Sequence, residues 1–283
     1  NENKGSLVTI RRIVVAVDAS PHSQAALEAA IDMASRFEAE LLALFVEDID
    51  VLRAAELPFA HEVGEHSALR RRVELSGIER NLRARSRRIE EAFQTLARQG
   101  SIRGRFRVAR GNVRTEIQSA AQDADVLIVG RAGWSPVRRR RLGSTARAAC
   151  SGDAPGVTVI LREGERIVAP VLVVYDGSAL GDHALDISVA LVERLGHPLT
   201  VLLLADRSAQ IEALRERATA HLHLYGVIRR YLVLVAPSVS AIGEAIRGFG
   251  AGTLVLPAKL ASFNGEVTLG LIEAVELPVL LVR

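Results

Sequence analysis

Short apolar runs alternate with amphipathic segments along the whole chain. Runs of four to six apolar residues, such as 13–17, 41–46 and 126–129, have the length of buried β-strands. Between such runs, apolar residues recur every three or four positions, as in 21–37, which is typical of a helix packed on one face. Strands that alternate with helices predict parallel sheets covered on both faces and joined by right-handed crossovers.

The pattern occurs twice along the chain. Residues 13–20 align with 171–178 at an offset of 158 residues, and the following helices (21–37, 179–195) and second strands (41–46, 199–204) align as well. The first copy continues with predicted helices at 69–99 and 112–122 and strands at 104–109, 125–129 and 156–161. The second continues with helices at 208–224, 239–248 and 267–274 and strands at 227–235, 253–257 and 278–282. The predicted fold class is α/β, with two tandem doubly wound parallel sheets of five strands, in domains 1–163 and 164–283.

The stretch 130–145 carries the candidate chemistry. It follows an apolar strand, and its glycines are spaced as Gly, two residues, Gly, nine residues, Gly-Ser: Gly130, Gly133 and Gly143. Glycines leave backbone amides open to an anion, and the N-terminus of the next short helix offers more N–H groups. Arg131 and the run Arg138–Arg141 add charge suited to phosphate oxygens. This combination predicts a phosphate cradle; the alternative is a glycine-rich surface turn beside solvated arginines.

The second copy lacks this motif. Alignment of Thr145 with Thr268 places three non-glycine residues at the glycine positions: Pro257, Leu260 and Glu266. Proline has no amide donor, leucine adds bulk, and glutamate repels phosphate. We therefore expect the second copy to be a degenerate site that keeps the fold for a structural reason.

This motif resembles the nucleotide-binding signature of the universal stress protein family. The resemblance rests on the glycine spacing, the strand before it, the helix after it and the Asp that ends the first strand. The resemblance is to its tandem two-domain form and covers nearly the whole chain, with the specific motif in the first copy. It implies strand order 3-2-1-4-5 in each half and pairing of the halves through their last strands. Asp18 and Gly130 would then meet at the carboxyl ends of neighbouring strands.

The resemblance implies that the first copy binds ATP, with Mg²⁺ arriving only on the nucleotide. Val17 and Asp18 are expected at the adenine and ribose end, and Val46 in the adenine pocket. The other predicted site residues, with phosphate contacts assigned to the glycines and hydroxyls, are Val129, Gly130, Arg131, Gly133, Gly143, Ser144 and Thr145. Core packing is the alternative for the two valines of the adenine end, and helix capping is the alternative for Asp18.

Composition narrows the class of protein. Apolar runs fall well short of the ~20 residues that cross a bilayer, so we expect a cytoplasmic protein without membrane insertion. The single cysteine, Cys150, excludes an intramolecular disulfide. The net charge is +3 and aromatic residues make up only 4%, so no stacking platform for nucleic acid is expected.

The expected function is a stress-response or signalling module whose first domain binds one adenine nucleotide. Two alternatives stay open, namely an interaction scaffold that works without nucleotide and a weak ATPase or autokinase acting on Ser144 or Thr145. The sequence shows no obvious general base for attack on a γ-phosphate. Segment 51–67 is interpreted as a flap over the adenine side. A homodimer and an unidentified protein partner also stay open.

Overall fold

The structure is a computed structural model that describes residues 8–56, 61–63, 70–72, 75–132, 142–151, 156–261 and 265–283. Several predicted features lie outside these residues: Gly133, the run Arg138–Arg141, and positions 57–60 and 64–67 of the expected flap. Within the described residues, no helix is long and apolar enough to cross a membrane.

The first half alternates strands and helices as predicted. Its strands are β1 (Arg12–Val17), β2 (Glu40–Asp48), β3 (His61–Val63), β4 (Arg70–Arg72), β5 (Gly104–Gly111), β6 (Val126–Gly130) and β7 (Val157–Leu161). Its helices are α1 (Pro21–Phe37), α2 (Ile49–Glu56), α3 (Leu75–Gln99), α4 (Val113–Ala121) and α5 (Ser144–Ser151). The helix predicted at 69–99 begins only at Leu75, because β4 pairs with β3 as an antiparallel hairpin. Segment 51–67 therefore contributes to a helix and this hairpin.

The second half repeats the order with a shorter middle. Its strands are β8 (Val171–Tyr175), β9 (Leu199–Ala205), β10 (Arg229–Val235), β11 (Thr253–Pro257) and β12 (Val279–Val282). Its helices are α6 (Ala179–Leu195), α7 (Ile211–His223), α8 (Val239–Phe249) and α9 (Gly265–Ala274). The helix predicted at 208–224 starts as a short 3-10 turn at Ser208–Gln210.

Ten of the described strands form a single sheet. The first half contributes the order β5-β2-β1-β6-β7, and the second contributes β10-β9-β8-β11-β12. Apart from the inserted hairpin, each half therefore has the expected order 3-2-1-4-5, with parallel pairing inside the half. The two last strands, β7 and β12, pair antiparallel and join the halves edge to edge. Both predictions are confirmed, and the two sheets merge into one.

Serine caps explain why the first helix of each half starts where it does. The Ser20 hydroxyl accepts the Ser23 N–H ahead of α1, and the Ser178 hydroxyl accepts the Gly181 N–H ahead of α6. A side-chain oxygen at this position satisfies an amide that has no partner within the helix. Each cap follows directly from the strand-end turn, so both helices leave their sheet at the same point.

The core lies in two layers, one on each face of the sheet. Val15 of β1 belongs to the layer under α1, α3 and α6, and its neighbour Val14 belongs to the layer under α4, α5 and α8. Side chains alternate between faces along a strand, so an apolar run such as 13–17 feeds both layers. Each layer contains residues of both halves, so each layer is continuous across the junction between them.

Arginines that follow the last strands reinforce the junction between halves. Arg162, just after β7, donates to the carbonyl of Val275 beyond α9, and Arg283, just after β12, donates to the carbonyl of Ala149 in α5. The final carbonyls of a helix have no intrahelical donor and carry partial negative charge, so a guanidinium binds them favourably. Each half thereby caps the last helix of the other.

Candidate functional site

A cleft of about 600 Å³ opens at the carboxyl ends of β1, β2 and β6. This is the crevice at which strand order reverses, since β2 lies on one side of β1 and β6 on the other. The volume lies within the range of roughly 300–1,000 Å³ that is typical of small-molecule sites. Eight of the ten predicted site residues line it: Val17, Asp18, Val46, Val129, Gly130, Gly143, Ser144 and Thr145.

Asp18 lies at the turn between β1 and α1. Its carboxylate accepts the Ser20 N–H at 3.0 Å, and its own N–H donates to the Ser23 hydroxyl at 2.9 Å. Ala19, between them, has a φ of 63°, in the left-handed region that few residues other than glycine adopt readily. The helix cap itself is Ser20, so the Asp18 side chain supports the turn and also faces the cleft.

The apolar end of the cleft is formed by side chains from several elements. Val17 and Val129 are almost fully buried and belong to the two core layers, so they serve packing as well as lining the cleft. Val46 is half-buried. Sequence reasoning did not identify the remaining apolar lining residues, which include Phe45, Val51, Leu82, Val113 and Ile117.

The other end of the cleft is the N-terminus of α5. The N–H of Arg147 donates to the carbonyl of Gly143, so the amides at 144–146 precede the first intrahelical donor. Ser144 and Thr145 bring hydroxyls to the same place. The N–H of Gly143 donates to the carbonyl of Arg131 at 2.8 Å, so this amide is used inside the loop rather than offered to a ligand. A helix N-terminus with adjacent hydroxyls can bind an anion.

Gly130 has a packing reason to be glycine in addition to its place in the cleft. A Cβ at this position would lie 2.9 Å from the backbone carbon of His22 and 3.1 Å from its carbonyl oxygen. Real Cβ atoms do not approach backbone this closely, so α1 and β6 could not keep their spacing with any larger residue. The glycine therefore lets the first helix approach the fourth strand of the half.

Arg131 departs from its predicted role. Its side chain is 1% exposed and points away from the cleft, where it donates to the carbonyls of Glu273 at 2.9 Å and Val275 at 3.2 Å. Burial and the neighbouring Arg162 lower the pKa of Arg131 to about 10, which still leaves it charged at neutral pH. A guanidinium held in this way does not line the cleft, so the interpretation of Arg131 as a phosphate ligand is wrong for this structure.

Charged groups that line the cleft come from the turn after β1, from β2 and from α3. Asp18 follows β1, Asp48 ends β2, and Arg85 of α3 is the one cation among the described lining residues. Arg85 lies one turn beyond Leu82 on the helix, so both reach the same cleft. Sequence reasoning did not identify Arg85 as a lining residue; its spacing from Leu82 was the available signal that it lies at the cleft.

Comparison with known proteins agrees with this architecture. A universal stress protein from Archaeoglobus fulgidus DSM 4304 is 17% identical, with 96% of this chain and 98% of that chain covered and a TM-score of 0.74. A functionally unknown protein from Pseudomonas aeruginosa PAO1 is 18% identical, with 96% and 92% covered and a TM-score of 0.66. At these identities the likeness concerns the fold. No curated protein sequence matches the chain.

The sequence itself identifies the family. The model of the universal stress protein family matches residues 9–151, which is just over half of the chain. The matched range runs from the segment before β1 through α5, so it includes every described residue that lines the cleft. This chain therefore belongs to the universal stress protein family.

Proposed function

We propose that the cleft of the first half binds one ATP molecule and that the protein is a stress-response or signalling module that responds to this nucleotide. The observation that carries the proposal is the convergence of residues from separate segments, 17–18, 46, 129–130 and 143–145, on one cleft. Two unrelated surface turns would have no reason to meet at the switch point of the sheet.

The chemistry of the cleft fits the three parts of ATP. Val17, Val46 and their apolar neighbours suit the flat apolar faces of adenine, and the Asp18 carboxylate accepts hydrogen bonds of the kind that ribose hydroxyls donate. The first turn of α5 and its hydroxyls suit phosphate oxygens. Mg²⁺ would bind to the phosphates, which supply the oxygen ligands that this ion prefers.

The second half has a structural role in this proposal. It pairs with the first half through β12, and in its own crevice the Asp176 carboxylate accepts the Ala261 N–H of the loop after β11. The nucleotide would act by ordering the cleft of the first half and so changing a surface that a protein partner recognises. Such a role requires binding and no turnover.

Calorimetric titration of nucleotide-stripped protein with Mg-ATP tests the proposal, using Gly143→Asp and Gly143→Asn as a matched pair. Both side chains suit the position ahead of α5, and they have nearly the same size. Only Asp places a negative charge beside the phosphates, so we expect ATP affinity to fall at least about tenfold further in Asp than in Asn.

Wild-type protein should bind one ATP per chain. No binding heat with the wild type, checked by equilibrium dialysis, would refute the proposal, and equal affinities in the two variants would exclude phosphates at α5. Phosphate release measured on the same samples separates a binding module from a weak ATPase, because a binding module releases none.

A further inference from the structure

The C-terminal end of α9, in the second half, contacts the first half on both sides of the loop that joins β6 to α5. Arg131 lies on the side before this loop, and Leu142 lies on the side after it. On the flank before the loop, the buried guanidinium of Arg131 donates to the carbonyls of Glu273 and Val275. These carbonyls lie at a helix C-terminus, where a buried cation is favourable. The strand-side start of the loop is therefore fixed to α9.

On the flank after the loop, the side chain of Glu273 makes two contacts. Its Oε1 accepts the N–H of Leu142 at 3.3 Å and a guanidinium N–H of Arg147 at 2.6 Å. Leu142 precedes Gly143 at the start of α5, and Arg147 lies in the first turn of that helix. One carboxylate thus holds the helix N-terminus that forms the phosphate end of the cleft.

Within the part of the chain that the structure describes, this contact has no counterpart from the first half to the second. The alignment of the halves places Cys150 at the position of Glu273 and Ala258 at the position of Arg131. Cys150 is buried, and burial raises the pKa of its thiol to about 11, so it remains a neutral core residue. The contacts of Arg162 and Arg283 are reciprocal between the halves, whereas the contact of Glu273 with the loop runs one way.

We propose that Glu273 is a positioning residue for the nucleotide phosphates, contributed by the half that lacks a glycine motif. It aligns the first turn of α5 without touching the ligand. The inference rests on the proposed function, since it concerns the same cleft. It gives the degenerate half a part in binding beyond its general structural role.

The test compares Glu273→Ala, Glu273→Gln and the control Glu276→Ala, each titrated with Mg-ATP and with adenosine. Alanine removes the acceptor for the Leu142 N–H, and we expect ATP affinity to fall about tenfold, as for one hydrogen bond to a charged group. Adenosine affinity should stay unchanged, because the adenine end is formed by other elements. Glutamine keeps an acceptor at the same place and should restore ATP affinity.

The charge of Arg147 also affects the ATP affinity expected for the Glu273 variants. Both variants remove the negative charge that neutralises the half-exposed Arg147 guanidinium, so the net positive charge near the phosphates rises. The glutamine variant should therefore bind ATP at least as tightly as the wild type. Glu276 forms an ion pair with Arg162 at the same junction, and its charge also acts on Arg131. Glu276→Ala keeps both carbonyls that hold Arg131 and keeps the Glu273 side chain, so it should leave ATP affinity unchanged.

The outcomes separate this inference from the proposed function. Wild-type protein that binds no ATP would overturn both. Wild-type binding with an unchanged Glu273→Ala variant would overturn the inference alone. A loss shared by adenosine or by Glu276→Ala, or one that glutamine fails to restore, would show a general effect of the junction on stability and would also overturn it.

Discussion

The crevices at the carboxyl ends of β1 and β8 share the same aspartate turn, but the two aspartates have different hydrogen-bond partners. In the first half, Asp18 lines the cleft formed by the described residues, and its carboxylate accepts the Ser20 N–H. In the second half, one oxygen of Asp176 accepts both the N–H and the hydroxyl of Ser178, and the other accepts the N–H of Ala261 at 2.6 Å. The loop after β11 therefore binds the aspartate that would otherwise face a ligand.

The difference between the two crevices lies in the loop that follows the fourth strand of each half. The aspartate turn is nearly identical, since Ala19 and Gly177 both adopt the left-handed conformation. In the second half Leu260 is 2% exposed and packs into the core, which anchors the loop next to Ala261, the residue that binds Asp176. In the first half the described chain resumes before Gly143, and the described residues line a cleft of about 600 Å³ that both Asp18 and Gly143 face.

Replacing the glycine that ends β6 should produce the largest change in stability. In Gly130→Ala the new Cβ would lie 2.9 Å from the His22 backbone, and we expect the free energy of unfolding to fall by about 3 kcal/mol from this overpacking. Gly270→Ala in α9 is the control, because its Cβ meets open space. The control should gain up to about 1 kcal/mol from helix propensity. Urea unfolding measures both; an unchanged Gly130→Ala would show that the motif glycine serves the ligand alone.

Replacing Asp18 and Asp176 by alanine should distinguish an aspartate that contacts the nucleotide from one that only stabilises the fold. Asp176→Ala leaves the donors of Ser178 and Ala261 without their acceptor, so we expect a loss of about 1–2 kcal/mol in unfolding free energy and unchanged ATP affinity. Asp18→Ala should instead weaken ATP binding about tenfold with a smaller loss of stability. Urea unfolding and calorimetry on the same preparations check this. Reduced ATP affinity in Asp176→Ala would contradict the assignment of the site to the first half.

The smallest expected effect is a pH dependence confined to the first half. The Nδ1 of His22 accepts the N–H of Glu163, in the segment that leads to the second half. The second half has Leu180 at the position that aligns with His22, so it has no titratable group there. Burial lowers the pKa of His22 below 6.5, and the charges of Arg162 and Arg131 act in the same direction, while Glu163 and Asp18 oppose them.

The lowered pKa of His22 makes folding stability depend on pH. The unfolded chain binds the proton first as pH falls below about 6.5, so the folded state loses stability there and regains it as pH rises. His22→Asn keeps an acceptor close to Nδ1 and does not titrate. Thermal unfolding between pH 5 and 8 should show a flatter profile for this variant; identical profiles would mean that His22 does not contribute.

Local signals made much of the fold predictable. Helix α1 has the predicted bounds because Ser20 and Pro21 mark its start and its apolar period ends at Phe37. The cleft was predictable in part because strand ends and glycines are local features, and the topology then brings Asp18 and Gly130 together.

The features that were missed depend on contacts distant in sequence. Charged residues 70–72 suit a helix surface, yet they form β4 because they pair with β3. The direction of the Arg131 side chain is set by carbonyls more than 140 residues further along the chain. Propensity and spacing carry no information about such partners, so sequence reasoning assigned Arg131 to the nearest plausible ligand.

The antiparallel pairing of β7 with β12 has a consequence for any attempt to study the halves separately. Both strands lie at the centre of the sheet, and its two edges are β5 and β10. Cutting the chain between the halves would turn β7 into an edge with unpaired N–H and C=O groups, a template for another strand. We expect an isolated first half to self-associate through this edge, and its cleft would lose the contact of Glu273 with the start of α5 at the same time.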